Sequence, residues 1–267
     1  MEQVLLTIQD LEKSYGDTRA LQGISLTFQP GEFVVIIGPS GAGKSTFIRC
    51  INRMIDPSAG SITFDGQRVD QLKGRQLRSL RAGIGMIFQH YNLVERTNVL
   101  RNVLHGRLGQ MPFWQSALGL YSQQDREEAV ELLEQVGLAD QMYKRADALS
   151  GGQMQRVGIC RAILQHPKLL LADEPIASLD PKSADIVMDH LQQVTRQRGL
   201  TCIVNLHQVD YARRYATRVV AIRGGRVVFD GRPEELTDDI TAAVYAGKES
   251  QMTLSGQPEL RLRPAEV

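Results

Sequence analysis

An α/β fold with a parallel-cored sheet and an inserted helical block is predicted by three observations. Short apolar strands alternate with amphipathic helices toward both ends of the chain. One of those strands, Phe33-Val34-Val35-Ile36-Ile37, runs straight into a glycine-rich loop and then a helical stretch. Between residues 92 and 166 the strand signal disappears, while residues 127–136 and 153–165 carry apolar side chains three and four apart.

Taken in order, residues 5–8 and 24–28 read as strands on either side of the turn-rich Tyr15-Gly16-Asp17. Strand 33–37 leads through its glycine loop into a helix over 46–54. Asp56-Pro57-Ser58-Ala59-Gly60 is a turn, 61–64 a strand and Asp65-Gly66 a second turn. A short basic helix is expected over 75–81, and a strand over 84–88 that ends at Gln89. After the helical block, strands resume at 169–172, 201–206, 219–222 and 227–229, with a helix over 183–198. From Lys248 onward the periodicity is lost and Gln, Pro and charge predominate, which predicts a mobile tail over 248–267. No internal repeat is present, so one nucleotide-binding unit per chain is expected.

Composition narrows the classes. A chain of 267 residues suits one large α/β domain with an inserted lobe. With 31 basic and 30 acidic residues, the formal charge of +1 gives no global electrostatic case for binding nucleic acid. Cys50, Cys160 and Cys202 lie far apart inside apolar segments and read as buried small hydrophobes in a reducing compartment. Met1-Glu2-Gln3 shows neither a basic region nor a long apolar stretch, so no leader is expected. No segment approaches the roughly 18 uninterrupted apolar residues of a membrane span, so membrane association is expected through a partner.

The loop after strand 33–37 is Gly38-Pro39-Ser40-Gly41-Ala42-Gly43-Lys44-Ser45-Thr46, a G-x-x-x-x-G-K-S phosphate-binding loop in its strand–loop–helix context. Glycines let backbone N–H groups converge on a pyrophosphate while the following helix aims its positive end at the same anion. Lys44 supplies a mobile charge for the outer phosphates and Ser45 a hydroxyl for Mg²⁺. A nucleoside triphosphate is the expected ligand. Leu169-Leu170-Leu171-Ala172-Asp173-Glu174-Pro175 is an apolar strand that ends in two carboxylates. Asp173 is the expected metal-side group, and Glu174, pointing the opposite way by strand alternation, the group that polarises an attacking water. Leu149-Ser150-Gly151-Gly152-Gln153 opens a helix with Ser150 as its N-cap, and its two glycines leave the first N–H groups open to an anion. One nucleotide needs only one such helix start, so the second calls for an explanation.

The phosphate loop, LSGGQ, LLLADEP and a later His207, in that order, resemble the ATP-binding cassette (ABC) family over residues ~4 to ~245. The resemblance implies a P-loop NTPase cassette: a mixed sheet core with an antiparallel β subdomain and an inserted α-helical subdomain. It divides the chain into an ATPase domain over 1–247, with a core at about 1–90 and 167–247 and a helical subdomain at about 91–166. It further implies that two cassettes pack head to tail, each ATP held by the phosphate loop of one and the LSGGQ of the other. That would account for the second helix start. By the same resemblance Tyr15 stacks on adenine, Gln89 is the hinge glutamine that approaches Mg²⁺ and water, and His207 contacts the γ-phosphate. Ser178-Leu179-Asp180 resembles the loop that crosses the dimer interface. Met154 departs from the polar residues common after the signature.

Three stretches resemble the ATPase subunits of phosphonate importers more narrowly. They are Asp173-Glu174-Pro175-Ile176-Ala177-Ser178-Leu179-Asp180-Pro181, Leu206-His207-Gln208-Val209-Asp210-Tyr211-Ala212, and Asn102-Val103-Leu104-His105-Gly106-Arg107-Leu108-Gly109 with the apolar 111–121 behind it. The implied assembly is a homodimer of ATPase subunits beneath two transmembrane permease subunits, on the cytoplasmic face of the membrane. It would be served by a solute-binding protein through the permease. Importers of phosphite, phosphate or polar amino acids remain the nearest alternatives, and a DNA-repair or translation cassette the more distant ones. The segment 111–121, which holds Trp114, reads either as core packing of the helical lobe or as a surface that receives a permease helix.

Overall fold

Apolar side chains of the central strands face two ways, and each face builds a core. The computed structural model describes residues 4–246. The expectations for Met1-Glu2-Gln3 and for the tail 248–267 lie outside the described residues. In chain order the elements are β1 (Leu6–Tyr15), β2 (Thr18–Phe28), β3 (Phe33–Ile37), α1 (Lys44–Ile51), β4 (Ala59–Phe64), β5 (Gln67–Arg68), α2 (Gly74–Ala82) and β6 (Ile84–Ile87). Then follow α3 (Val99–Leu104), α4 (Phe113–Leu118), α5 (Gln123–Gln135), α6 (Gly151–Leu164), β7 (Leu169–Asp173), α7 (Pro181–Gln197), β8 (Thr201–Asn205), α8 (Val209–Tyr215), β9 (Arg218–Arg223), β10 (Arg226–Gly231) and α9 (Asp238–Tyr245).

Six strands form one sheet in the order β10-β9-β3-β8-β7-β6. Neighbours run parallel from β9 to β6, and β10 alone is antiparallel. On β3, Phe33, Val35 and Ile37 enter one apolar cluster with the helices, while Val34 and Ile36 enter the other. Burial on both faces explains why these strands read as continuous apolar runs. The second cluster is closed by α1 and a four-stranded antiparallel sheet, β2-β1-β4-β5. The mixed sheet and the antiparallel layer match the expected fold class.

The hairpin β1–β2 is longer than the two short strands expected. Polar Gln9, Asp10, Glu12, Lys13 and Ser14 hid its continuity, because β1 carries register shifts between Ile8 and Leu11 that turn side chains off the alternating pattern. Asp10 sits at the irregularity with φ 48°, its amide donating to Ser25 Oγ at 2.8 Å. Helix α1 begins two residues before the expected Thr46 and ends three before Met54. The short helices α3, α4, α8 and α9 were not anticipated, since one or two turns carry too little periodicity to register.

Between residues 91 and 166 the regular elements are helical, with one isolated bridge pairing Asn98 and Arg145. Helix α6 is its centre, its Val157, Cys160 and Leu164 packed in the same cluster as Leu132 and Leu133 of α5 and Val103 of α3. That cluster runs on without interruption to Val187 of α7 and to the helical face of the sheet. Cys50, Cys160 and Cys202 are free and buried, and burial pushes their thiols up, to about 11 for Cys50 and about 12 for Cys160. Such thiols are poor nucleophiles and poor metal ligands.

Candidate functional site: a phosphate cradle closed by a carboxylate and a histidine

Strand β3, paired on both sides, delivers the glycine loop to the C-terminal end of the sheet, and the backbone there needs glycine. Gly38, at φ 146°, passes so close to β9 that a Cβ would lie 2.0 Å from Ile222 O. Gly43, at φ 103°, is the N-cap of α1, and a Cβ there would meet Ala20 O at 2.4 Å. With no side chain capping α1, its first N–H groups keep their donors for an external anion. A cavity of about 340 Å³ opens over this loop, lined by residues 40–46 with Ala20, Glu174 and His207. A second opening of about 650 Å³ shares Ser40, Gly41 and Ala42 and is lined further by Pro39, Arg223, Arg226 and Tyr245.

Lys44 is almost wholly buried, at 4% exposure. Its ammonium donates to Gly38 O at 2.7 Å and Pro39 O at 3.1 Å and lies 3.5 Å from His207 Nδ1. Burial pulls its pKa down, and the charges of Glu174 and Asp173 oppose that shift. A phosphate beside Lys44 would restore what desolvation takes away.

Asp173 ends β7 and is 2% exposed. Arg49 of α1 donates to its Oδ2 from Nε at 3.1 Å and from Nη2 at 3.0 Å. Its Oδ1 accepts from Asn205 Nδ2 at 2.9 Å, and the same Nδ2 donates to Ser45 Oγ at 3.2 Å. Glu174 leaves the strand altogether: its φ is 52°, a left-handed conformation that costs a non-glycine residue about 1–2 kcal/mol. A left-handed turn thus follows Asp173, which corrects the expectation of simple strand alternation at Glu174. Two bonds hold that conformation, Glu174 N to Asn205 O at 3.2 Å and Glu174 Oε1 to His207 Nε2 at 2.7 Å. His207 is anchored in turn by Tyr245, whose hydroxyl donates to His207 O at 3.0 Å.

The remaining expected residues lie apart from this cavity. Tyr15 sits at the β1–β2 tip, 49% exposed, with Lys13 Nζ 5.0 Å from its ring centroid. Gln89 follows β6, half-buried, and does not line the cradle. A different cleft of about 450 Å³ lies beside it, lined by Phe88, Asn92, His105 and Arg161 among others. Ser150 caps α6 in a reciprocal box: its hydroxyl accepts from Gln153 N at 3.4 Å, and Gln153 Oε1 accepts from Ser150 N at 2.9 Å. Gly151 and Gly152 are packed against the chain itself, where a Cβ would lie 2.6 Å from Tyr91 Oη and 3.1 Å from Ser183 Cβ. Asp180, in the segment after Glu174, caps α7 by accepting from Ser183 N at 3.0 Å.

Three residues around the carboxylates escaped the sequence reading. Arg49 and Tyr245 carry no motif. Asn205 did leave a signal, a lone amide in the otherwise apolar stretch Cys202-Ile203-Val204-Asn205-Leu206. Phe113, Trp114, Leu118 and Leu120 are exposed, at 88%, 58%, 69% and 50%, whereas Tyr121 packs on the core. Within 111–121, Tyr121 thus packs on the core as the first reading expected, while the four exposed side chains form a surface.

A parallel sheet, a glycine cradle at the start of α1 and a carboxylate pair on the next strand but one define a P-loop nucleoside-triphosphatase. Residues 21–177 match the family described as ABC transporter, and the chain belongs to it. A protein of Oceanobacillus iheyensis named phosphonates import ATP-binding protein PhnC 2 is 52% identical over 249 residues, covering 93% of this chain and 98% of its own. The phosphonates import ATP-binding protein PhnC of Treponema denticola is 48% identical, over 89% of this chain and 93% of its own. Among solved structures, a dimeric post-hydrolysis state of the ATP-binding cassette MJ0796 bound to ADP and Pi superposes with a TM-score of 0.74 at 31% identity. It covers 86% of this chain and 99% of that one.

Proposed function

We propose that this chain is the ATP-hydrolysing, energy-coupling subunit of a bacterial importer for phosphonates. The observation that carries the catalytic part is the hydrogen bond of 2.7 Å between Glu174 and His207 at the mouth of the phosphate cradle. A carboxylate beside a cradle with a buried lysine is suited to taking a proton from water as that water attacks the γ-phosphorus. The bond from that phosphorus to the bridging oxygen breaks, and ADP and phosphate leave. Lys44 and the backbone N–H groups of Gly38, Ser40, Gly41, Ala42, Gly43, Ser45 and Thr46 hold the phosphates in this reading, while Pro39, which has no N–H, shapes the loop. His207 binds the γ-phosphate and keeps Glu174 in its strained turn. Tyr15 takes adenine.

A divalent cation fits the donor set: a hydroxyl (Ser45) and a carboxylate (Asp173) joined by one amide, oxygens of the kind Mg²⁺ prefers. Among the described residues no group of three or more His, Cys, Asp or Glu side chains is placed to hold a metal ion, so the phosphates would supply the remaining ligands. Ser45, Asp173 and Gln89 would hold Mg²⁺, which supplies charge neutralisation to the outer phosphates.

Ser150, Gly151, Gly152 and Gln153 complete the site of a second copy, a reading supported by the dimeric form of the ADP- and Pi-bound relative. We assign residues 91–166 to a helical subdomain that meets the permease through the cleft beside Gln89 and the exposed aromatic face of α4. Among the described residues no helix is long and apolar enough to cross a membrane, so attachment to the cytoplasmic face runs through two permease subunits. A solute-binding protein acts on the far side. Support for phosphonate as the solute comes from the names of relatives at 46–52% identity over most of the chain.

Two measurements test this. Glu174→Gln should lower turnover by at least ~100-fold while ATP binding persists and a dimer accumulates, and normal turnover would remove the assigned role. The subunit reconstituted in lipid with its permease and binding protein should hydrolyse ATP faster with methylphosphonate than with phosphite, phosphate or no solute. Stimulation by phosphate alone would keep the motor and move the substrate.

A further inference from the structure

Asn205 stands where three elements converge, fully buried at the end of β8 between α1 and β7. The two hydrogens of its Nδ2 are both used, one on Asp173 Oδ1 at 2.9 Å and one on Ser45 Oγ at 3.2 Å. Chemistry fixes the orientation of the amide. Turned about, Oδ1 would face the Asp173 carboxylate, acceptor against acceptor. Oδ1 therefore points elsewhere, and there it is buried and accepts nothing from the described residues. A buried acceptor left in that condition is costly, and valine or leucine in the same strand would avoid the cost. Packing does not call for the amide, because its neighbours Val204 and Leu206 are apolar and buried. Arg49 already occupies Oδ2 of Asp173, so Asn205 is the group that ties Oδ1 to the phosphate loop.

We propose that Asn205 is a positioning residue of the cation site: its Nδ2 holds the Ser45 hydroxyl and the Asp173 carboxylate at a fixed separation. This rests on the ATPase reading above. It differs from a structural role in one respect. The amide should govern the affinity for divalent cation in the nucleotide complex, and leave the affinity for nucleotide without cation unchanged. Lys44 and the loop amides, which Asn205 does not touch, set the latter.

The test uses the full chain with ADP and Mn²⁺ as the probe, followed by electron paramagnetic resonance of free Mn²⁺. ADP affinity in EDTA and the thermal midpoint without ligands are measured in parallel. Asn205→Leu, of similar volume without polar atoms, should weaken Mn²⁺ in the ADP complex by at least ~10-fold. Its ADP affinity in EDTA should stay within ~2-fold. Asn205→Thr keeps one donor and one acceptor and should lose less, which decides the matter if the leucine variant does not fold. Unchanged Mn²⁺ affinity in both variants overturns the proposal. An equal loss of Mn²⁺ and of cation-free ADP affinity overturns it too, since that is the signature of a merely structural residue. Failure of the unaltered chain to bind ADP at all would instead remove the nucleotide reading on which the proposal rests.

Discussion

The starts of α1 and α6 share a composition of serine and glycine before a helix, yet they solve opposite problems. At α1 the glycines adopt positive φ, no side chain caps the helix, and a buried lysine donates to the loop carbonyls of Gly38 and Pro39. At α6 neither glycine is left-handed, Ser150 and Gln153 cap each other, and the glycines are small so that Tyr91 and Ser183 can lie against them. The first cradle brings its own cation. The second has spent its N-cap bonds on itself and presents what remains outward. Glycine before a helix thus builds an anion cradle within its own chain only when the local φ values and a cation agree.

Substitution with alanine should separate the two starts most strongly. Gly38→Ala puts a methyl against a backbone carbonyl of β9 and is expected to cost more than about 3 kcal/mol, by chemical denaturation. Gly151→Ala meets the far end of a tyrosine and should cost about 1 kcal/mol. Equal costs would break the comparison. Next in size, Lys44→Ala should weaken ATP binding roughly 100-fold, by titration with a fluorescent nucleotide. Ser150→Ala should leave the affinity of the isolated chain within ~2-fold, lower stability by about 1 kcal/mol and suppress turnover. An affinity loss in isolated Ser150→Ala would mean that α6 serves its own chain.

The smallest effect is a proton. Burial lowers the Lys44 pKa below its ordinary 10.5, so in the alkaline window between the two the unfolded chain binds more protons than the folded one. Stability of the ligand-free protein should rise with pH across that window, and below it the penalty of burying the charged amine is fully present. A phosphate raises the Lys44 pKa again, so nucleotide binding in that window should take up as much as one proton. Calorimetry in buffers of different ionisation heat measures it, and the uptake should vanish in Lys44→Ala.

Legibility differed between the two sites for the same reason. The phosphate loop was readable because nine consecutive residues, Gly38 through Thr46, make the whole cradle. The carboxylate end was half readable. Asp173 and Glu174 close an apolar strand in plain view, but the left-handed turn at Glu174 is held by Asn205 and His207, more than thirty residues on. Helix α4 shows a further limit: apolar Phe113, Trp114 and Leu118 look like core in one dimension, and only their exposure reveals a surface.

By itself the sequence determined the strands buried on both faces, the cradle, the two helix starts and the order of motifs that marks the family. Each of these depends on sterics, capping and periodicity over a few neighbouring residues. The tertiary structure alone decided that Arg49 and Asn205 divide the two oxygens of Asp173, that Tyr245 anchors His207, and that the glycines of α6 pack inward. Those pairings join residues between 30 and 160 positions apart, because a buried polar group takes whichever partner the fold brings within reach, wherever in the chain that partner stands.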